Sequence, residues 1–179
     1  DGILRRFLAA IRPAKPNLVR GNVCDVLDAT LGLLEADLAQ REIALERSAP
    51  RAVPDVFLDA QQLEQVFFNL IRNAMDAVPN GGRIGVTVTA DDAWVNVSVL
   101  DNGAGIPAAM LGRIFDPYVT TKEKGNGLGL MIVRRIVQAH GGTITCASHE
   151  GEGTCFTVSL PRAERRVRAL GAAEREAAR

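Results

Sequence analysis

The sequence predicts an α+β fold of two layers, with helices on one side and a mixed, mostly antiparallel sheet on the other. Three observations predict it. Residues 23–39, 59–78 and 128–139 carry apolar side chains at helical spacing. Residues 83–89 alternate apolar and polar side chains, and residues 94–100, 143–147 and 154–160 also read as strands. The strands fall into two pairs, each joined by a short turn, which makes hairpins of them.

In chain order, Ile3, Leu4, Phe7, Leu8 and Ile11 recur at helical spacing, and Pro13 and Pro16 stop that helix. A helix this short is marginal alone, so residues 1–16 are expected to be the end of a longer helix and a linker. Asn22, followed by Asp25, opens the helix over residues 23–39. Residues 42–46 alternate as a strand does, and residues 53–58 form a second short strand. Asp59 with Gln62 makes a capping box for the helix that runs to Val78. Pro79-Asn80-Gly81-Gly82 is a turn, and Ala90-Asp91-Asp92-Ala93 joins the first hairpin. Residues 101–126 are rich in glycine, proline and threonine, with one short helix over 108–113. Gly141-Gly142 ends the third long helix, and the last two strands meet across His149-Glu150-Gly151. Residues 17–161 then make one domain, and residues 162–179 an Arg- and Ala-rich tail that reads as a solvated helix or frayed end.

Composition narrows the function classes. A chain of 179 residues can bury a core without disulfide or metal staples. Its 47% apolar and 23% charged residues are those of a globular protein, and its 4% aromatics leave the core to Leu, Ile, Val and Ala. A formal net charge of zero removes any global argument for nucleic acid or an anionic membrane as partner. Cys24, Cys146 and Cys155 form an odd set without CxxC spacing, which argues against a disulfide framework or a zinc site and for a reducing compartment. No apolar stretch approaches the roughly 18 residues that span a bilayer. The expectation is a cytoplasmic domain without membrane contact, whatever anchors its parent protein.

Three segments carry chemistry. On the helix from Asp59, the side chains of Leu63, Val66, Phe67, Leu70, Ile71, Ala74 and Val78 form one apolar face. Asn69, Asn73 and Asp76 share a stripe away from that face, at about 100° per residue. Asparagine is a mediocre helix former, and a plain solvated stripe more often uses Glu, Lys or Arg. Aligned side-chain oxygens suit a hard cation such as magnesium, which takes few protein ligands and keeps several waters. Asp101-Asn102-Gly103-Ala104-Gly105 follows a strand, where a carboxylate can accept from a base's exocyclic amine and glycines admit close backbone approach. Gly125-Asn126-Gly127-Leu128-Gly129-Leu130 opens a helix, so bare N–H groups at its N-terminus can hold an anion. A Rossmann loop does not fit, because no strand leads into the segment, and a Walker loop does not fit, because no Gly-Lys-Ser/Thr follows. Lys122, just before the loop, is placed to reach a phosphate.

With these elements in this order, the chain resembles the catalytic ATP-binding domain of bacterial sensor histidine kinases, of the GHKL superfamily. Asn69-Leu70-Ile71-Arg72-Asn73-Ala74 matches the asparagine box and Asp101-Asn102-Gly103-Ala104-Gly105 the first glycine box. Phe115-Asp116-Pro117-Tyr118 matches the phenylalanine box, residues 125–130 the second glycine box, and Gly151-Glu152-Gly153-Thr154-Cys155-Phe156 the last. The match covers residues 22–161, and the Asn-Ala-x-Asp-Ala form with Thr120-Thr121-Lys122 looks most like the nitrogen-regulation subgroup.

The resemblance implies a Bergerat-type sandwich with three covering helices, binding ATP and magnesium. It implies that Asn73 ligates magnesium, that Asn69 orients the phosphates, and that Asp76 contacts nucleotide or its waters. Asp101, backed by Thr154, would read the adenine amine. Ile106 and Leu130 would line the base pocket, Gly127, Leu128 and Gly129 would hold phosphates, and residues 115–126 would be a mobile lid. The γ-phosphate would go to a histidine on a dimerisation domain, of which residues 1–16 keep only the end, and then to a response regulator's receiver domain. The parent would be a homodimer. Three positions depart from the pattern: Asp76 where many relatives carry a base, Tyr118 for a second Phe, and Asn126 for Thr or Ser. Neither His140, at a helix end, nor His149, in a hairpin, has the setting of an acceptor. A hydrolytic GHKL ATPase would need a Glu at Asn69 to activate water, since an amide cannot serve as a general base. A module that binds ATP only to sense it is the remaining alternative.

Overall fold

The computed structural model describes residues 15–120 and 127–164. The helix expected over residues 3–11, the tail beyond residue 164, and Lys122, Gly125 and Asn126 lie outside the described residues. In chain order the elements are β1 (Val19–Gly21), α1 (Val23–Gln40), β2 (Ala44–Ser48), β3 (Val56–Leu58), α2 (Ala60–Ala77), β4 (Arg83–Ala90), β5 (Trp94–Asp101), α3 (Ala108–Leu111), α4 (Gly129–Ala139), β6 (Thr143–His149) and β7 (Gly153–Pro161).

The two long helices begin where their caps dictate. The Asn22 side chain accepts from the Cys24 N–H, and that of Asp59 accepts from the Gln62 N–H at 3.1 Å. The Asp59 box departs from the expected form in its return half, because the Asp59 N–H donates to the His140 ring instead. Leu63, Val66, Phe67, Leu70, Ile71, Ala74 and Met75 of α2 are all buried. At about 1.5–3 kcal/mol for each large apolar side chain, this face ties the helix to the core far more strongly than helix propensity does.

The main sheet has five strands in the order β2-β4-β5-β7-β6, parallel between β2 and β4 and antiparallel elsewhere. Strands β1 and β3 pair in a separate antiparallel ribbon. The short helix α3 ends at Leu111 rather than residue 113, β6 runs to His149 rather than residue 147, and two strand starts differ by two residues or more. β2 starts at Ala44 rather than residue 42, because Glu42 takes a left-handed φ of 55° as the chain leaves α1. β3 starts at Val56, beyond Pro54. Helices α1, α2 and α4 cover one face of the sheet and share one aliphatic core with its inward residues, among them Val86, Val97, Val99, Val158 and Leu160. No helix among the described residues is long and apolar enough to cross a membrane.

Candidate nucleotide site

Residues Val95, Val97 and Val99 of the central strand face the helices and are buried. Asp101 continues that alternation, so a carboxylate takes the place of the next valine, only 4% exposed. Register places Asp101 opposite Thr154 on β7, and Thr154 opposite Ser148 on β6. A buried polar row therefore crosses three strands at the end of the apolar core. The Asp101 carboxylate accepts from the Gly103 N–H at 2.9 Å and from the Thr154 N–H. Burial nevertheless dominates these bonds and raises the Asp101 pKa above the ordinary carboxylate range.

Ser148 is the residue that sequence reasoning missed. Its hydroxyl accepts from the Ile106 N–H at 2.8 Å, donates to the Gly153 carbonyl at 2.8 Å, and lies 3.0 Å from Thr154 Oγ1. One serine thus ties the first glycine loop to the final hairpin. Only the cross-strand register shows this, and a single sequence does not supply the register.

The glycine loops are where backbone meets backbone. The Ala104 N–H donates to the Ala77 carbonyl at the end of α2, and the Gly151 N–H to the Ala104 carbonyl at 2.7 Å. Gly105 has φ +70°, and a Cβ there would stand 2.1 Å from the His149 carbonyl oxygen. At Gly153, with φ +108°, a Cβ would stand 2.0 Å from the Asp101 carbonyl oxygen. Both positions demand glycine, and both fix the loop that carries Asp101.

The helix-borne residues lie nearby. Asn69 and Asn73 are half-buried and Asp76 is exposed. The Asn69 Oδ1 would be 3.7 Å from a Cβ on Gly129, so the asparagine helix and the first residue of α4 are close neighbours. Gly129 opens α4, where the free N–H groups and the positive helix end favour an anion. Leu128 is buried, and Ile106 and Leu130 pack, partly buried, against the common core. Asp76 Oδ1 lies 3.8 Å from Arg72 Nε, and Arg72 also pairs with Asp37 at 2.8 Å. Phe115 packs edge-on against Phe156, ring centroids 6.4 Å apart, with the Arg134 guanidinium over its ring. The Tyr118 N–H donates to the Gly127 carbonyl at 3.0 Å, and Tyr118 itself has a φ of 64°. Of the predicted residues, the structure therefore links Asn69 with Gly129, and Asp101 with Gly103 and Thr154, and hangs the Gly103 to Ile106 loop between α2 and the final hairpin.

Among the described residues no three His, Cys, Asp or Glu side chains gather as a metal cage. A magnesium ion, which takes few protein ligands and keeps several waters, would need no such cage. Burial pushes the Cys146 thiol up to about 11 and raises that of Cys24 as well, which disfavours the thiolate at both positions.

Comparison with known proteins agrees with this fold. Residues 58–164 match the family described as histidine kinase-, DNA gyrase B- and HSP90-like ATPase. The chain is 40% identical over 159 residues to the sensor histidine kinase ZraS of Escherichia coli K12, covering 89% of this chain and 34% of that protein. It is 38% identical over 162 residues to sporulation kinase A of Bacillus subtilis, covering 89% of this chain and 27% of that one. The chain thus spans between about a quarter and a third of the length of these relatives. The catalytic domain of histidine kinase ThkA superposes with a TM-score of 0.75 at 31% identity, over 82% of this chain and 96% of that domain. Full-length ShkA in complex with AMPPNP gives 0.80 at 26% identity, over 90% of this chain and 35% of that one. This chain belongs to the histidine kinase-, DNA gyrase B- and HSP90-like ATPase family, with the fold of a sensor histidine kinase catalytic domain.

Proposed function

We propose that this chain binds ATP with magnesium and presents the γ-phosphate to a histidine on a dimerisation domain outside it, within a homodimeric sensor kinase. Asp101 accepts from the adenine amine, with Thr154 and Ser148 holding its loop. Ile106 and Leu130 flank the base. The amides of Gly127, Leu128 and Gly129 bind phosphate oxygens, as do Lys122 and the glycine loop at Gly125 and Asn126. Asn73 supplies the side-chain oxygen to magnesium, Asn69 orients the phosphates beside Gly129, and Asp76 reaches nucleotide-bound water. Magnesium, when bound, neutralises charge on the β- and γ-phosphates. The transfer forms a P–N bond to the acceptor imidazole and breaks the bond from the γ-phosphorus to the bridging oxygen. ADP leaves, and the imidazole proton passes to a base near the acceptor. This chain contributes position and electrostatics. The phosphoryl group then moves to a receiver domain, a step for which the complex of ThkA with response regulator protein TrrA is the structural parallel.

One observation carries the choice of transfer over hydrolysis. The residue beside Gly129 is Asn69, whose amide has no proton site for activating water. Calorimetric titration of ATP, ADP and GTP, with and without magnesium, tests the reading. Adenine-selective, magnesium-sensitive binding is expected. Phosphotransfer to the parent's separately supplied dimerisation domain should follow, and Asn73→Ala should abolish it while the variant still folds cooperatively. Transfer undiminished in that variant would remove Asn73 from the metal. ATP binding without any transfer would leave a sensing module.

A further inference from the structure

Helices α2 and α4 approach each other at two places, near the start of α4 and at its end. Asn69 meets Gly129 at the nucleotide end. At the other end lies a buried side chain that the proposed mechanism does not use. The His140 ring is fully buried, with Nδ1 2.8 Å from the Ile136 carbonyl oxygen and Nε2 3.0 Å from the Asp59 backbone nitrogen.

The hydrogen positions follow from the partners. A carbonyl only accepts, so Nδ1 carries the proton; a backbone N–H only donates, so Nε2 is bare and accepts. The ring is a neutral imidazole in its Nδ1–H form. It closes the last turn of α4 and takes the N–H of the cap of α2 in the same motion. Elsewhere these two helices meet through aliphatic side chains such as Val133, Ile136, Val137, Leu63, Val66 and Leu70, all in one core. Aliphatic contact is non-directional and tolerates sliding. The His140 bond does not, because a slip of one residue, about 1.5 Å, separates the buried ring nitrogen from the half-buried Asp59 N–H.

We propose that His140 is a positioning residue for the nucleotide site. It sets the register of α4 against α2 and so holds the anion-binding N-terminus of α4 beside Asn69, roughly 15 Å along the helices. The proposal rests on the nucleotide reading above.

The test compares His140→Leu with His140→Gln in the purified chain, reading ATP affinity and the urea midpoint separately. In the Gln variant the amide oxygen takes over the accepting role of Nε2, and affinity should stay within about threefold of the unaltered chain. The folded Leu variant should lose about tenfold or more, since small misplacements at such sites are costly. Should the Leu variant not fold, His140→Asn, polar but too short to reach Asp59, replaces it with the same expectation. A folded Leu or Asn variant that binds ATP as tightly as the Gln variant would overturn the proposal, even if its urea midpoint falls. Ring-nitrogen NMR of the unaltered chain must show Nδ1 protonated and Nε2 bare; the reverse also overturns it. Absence of ATP binding in the unaltered chain would instead reject the nucleotide reading itself, which separates the two failures.

Discussion

The two halves of the nucleotide face are supported in different ways. Asn69 and Asn73 stand on a helix that is anchored by its buried opposite face, so the side chains proposed to meet the ligand are not the ones that bury the helix. Asp101, Ile106 and Thr154 stand at strand ends and in a loop, held by a buried hydrogen-bonded row and by backbone in contact with backbone. In the first half, ligand chemistry and stability are separate. In the second they are the same atoms.

The sharpest way to break this contrast is at Gly153. Gly153→Ala puts a Cβ against the Asp101 carbonyl and forces a φ of +108° on an L side chain. A loss of about 3–5 kcal/mol in urea unfolding is expected, together with loss of ATP binding. Gly151→Ala is the control, since its φ is +84° but no atom lies within 4 Å. It should cost only about 1–2 kcal/mol. Equal costs at the two positions would mean that backbone conformation, and not the contact with Asp101, decides.

Asp101 tests the same contrast through pH. Its folded pKa is raised by burial, so the fold favours the protonated acid. That contribution to stability is fully present below the unfolded pKa and is lost as pH rises through the folded value. Asp101→Asn should therefore unfold at a higher urea concentration than the parent at neutral pH, with the difference fading on acidification. Binding should move the other way. The carboxylate already accepts from the Gly103 and Thr154 N–H groups, and an amide that keeps its oxygen towards them turns its NH2 towards the donor amine of adenine. A loss of about 1–3 kcal/mol in ATP binding, roughly ten- to hundredfold, is expected, with GTP little changed. In the parent, ATP affinity should begin to fall at a higher pH than an ordinary aspartate would give. Equal losses for ATP and GTP would make Asp101 a structural residue alone.

Legibility in the sequence follows the same division. Helix α2 could be read because its apolar face repeats locally and Asp59 caps it, and Asn69 and Asn73 stood out as poor helix formers with no local reason to be there. The strand order, Ser148 and the Asp59 to His140 bond could not. Each depends on pairing between distant segments, 81 residues apart in the last case. His140 at a helix end reads only as a cap, and Ser148 reads only as a polar residue near a turn. β1 has three residues and exists because β3 pairs with it, so no local pattern announces it. Local periodicity marks what a helix presents, whereas the atoms that fix a loop belong to other strands.

The smallest expected effect lies on the helix-borne half, at Arg72. Its guanidinium pairs with Asp37 at 2.8 Å and lies 3.8 Å from Asp76, with side chains 47%, 52% and 34% exposed. Solvent and side-chain entropy leave such pairs about 0.2–1 kcal/mol, less at high salt. Arg72→Gln should lower the urea midpoint only slightly, and the difference should vanish in molar salt. ATP affinity decides what else the residue does. Arg72 flanks the stripe of Asn69, Asn73 and Asp76 on α2. If affinity is unchanged, the pair only braces α2 against α1, and stability and ligand chemistry stay separate on this helix. A loss of about tenfold at low salt would mean that Arg72 leaves Asp37 for a phosphate, supplying the positive charge that Asp76 does not, and the separation would end at this one residue.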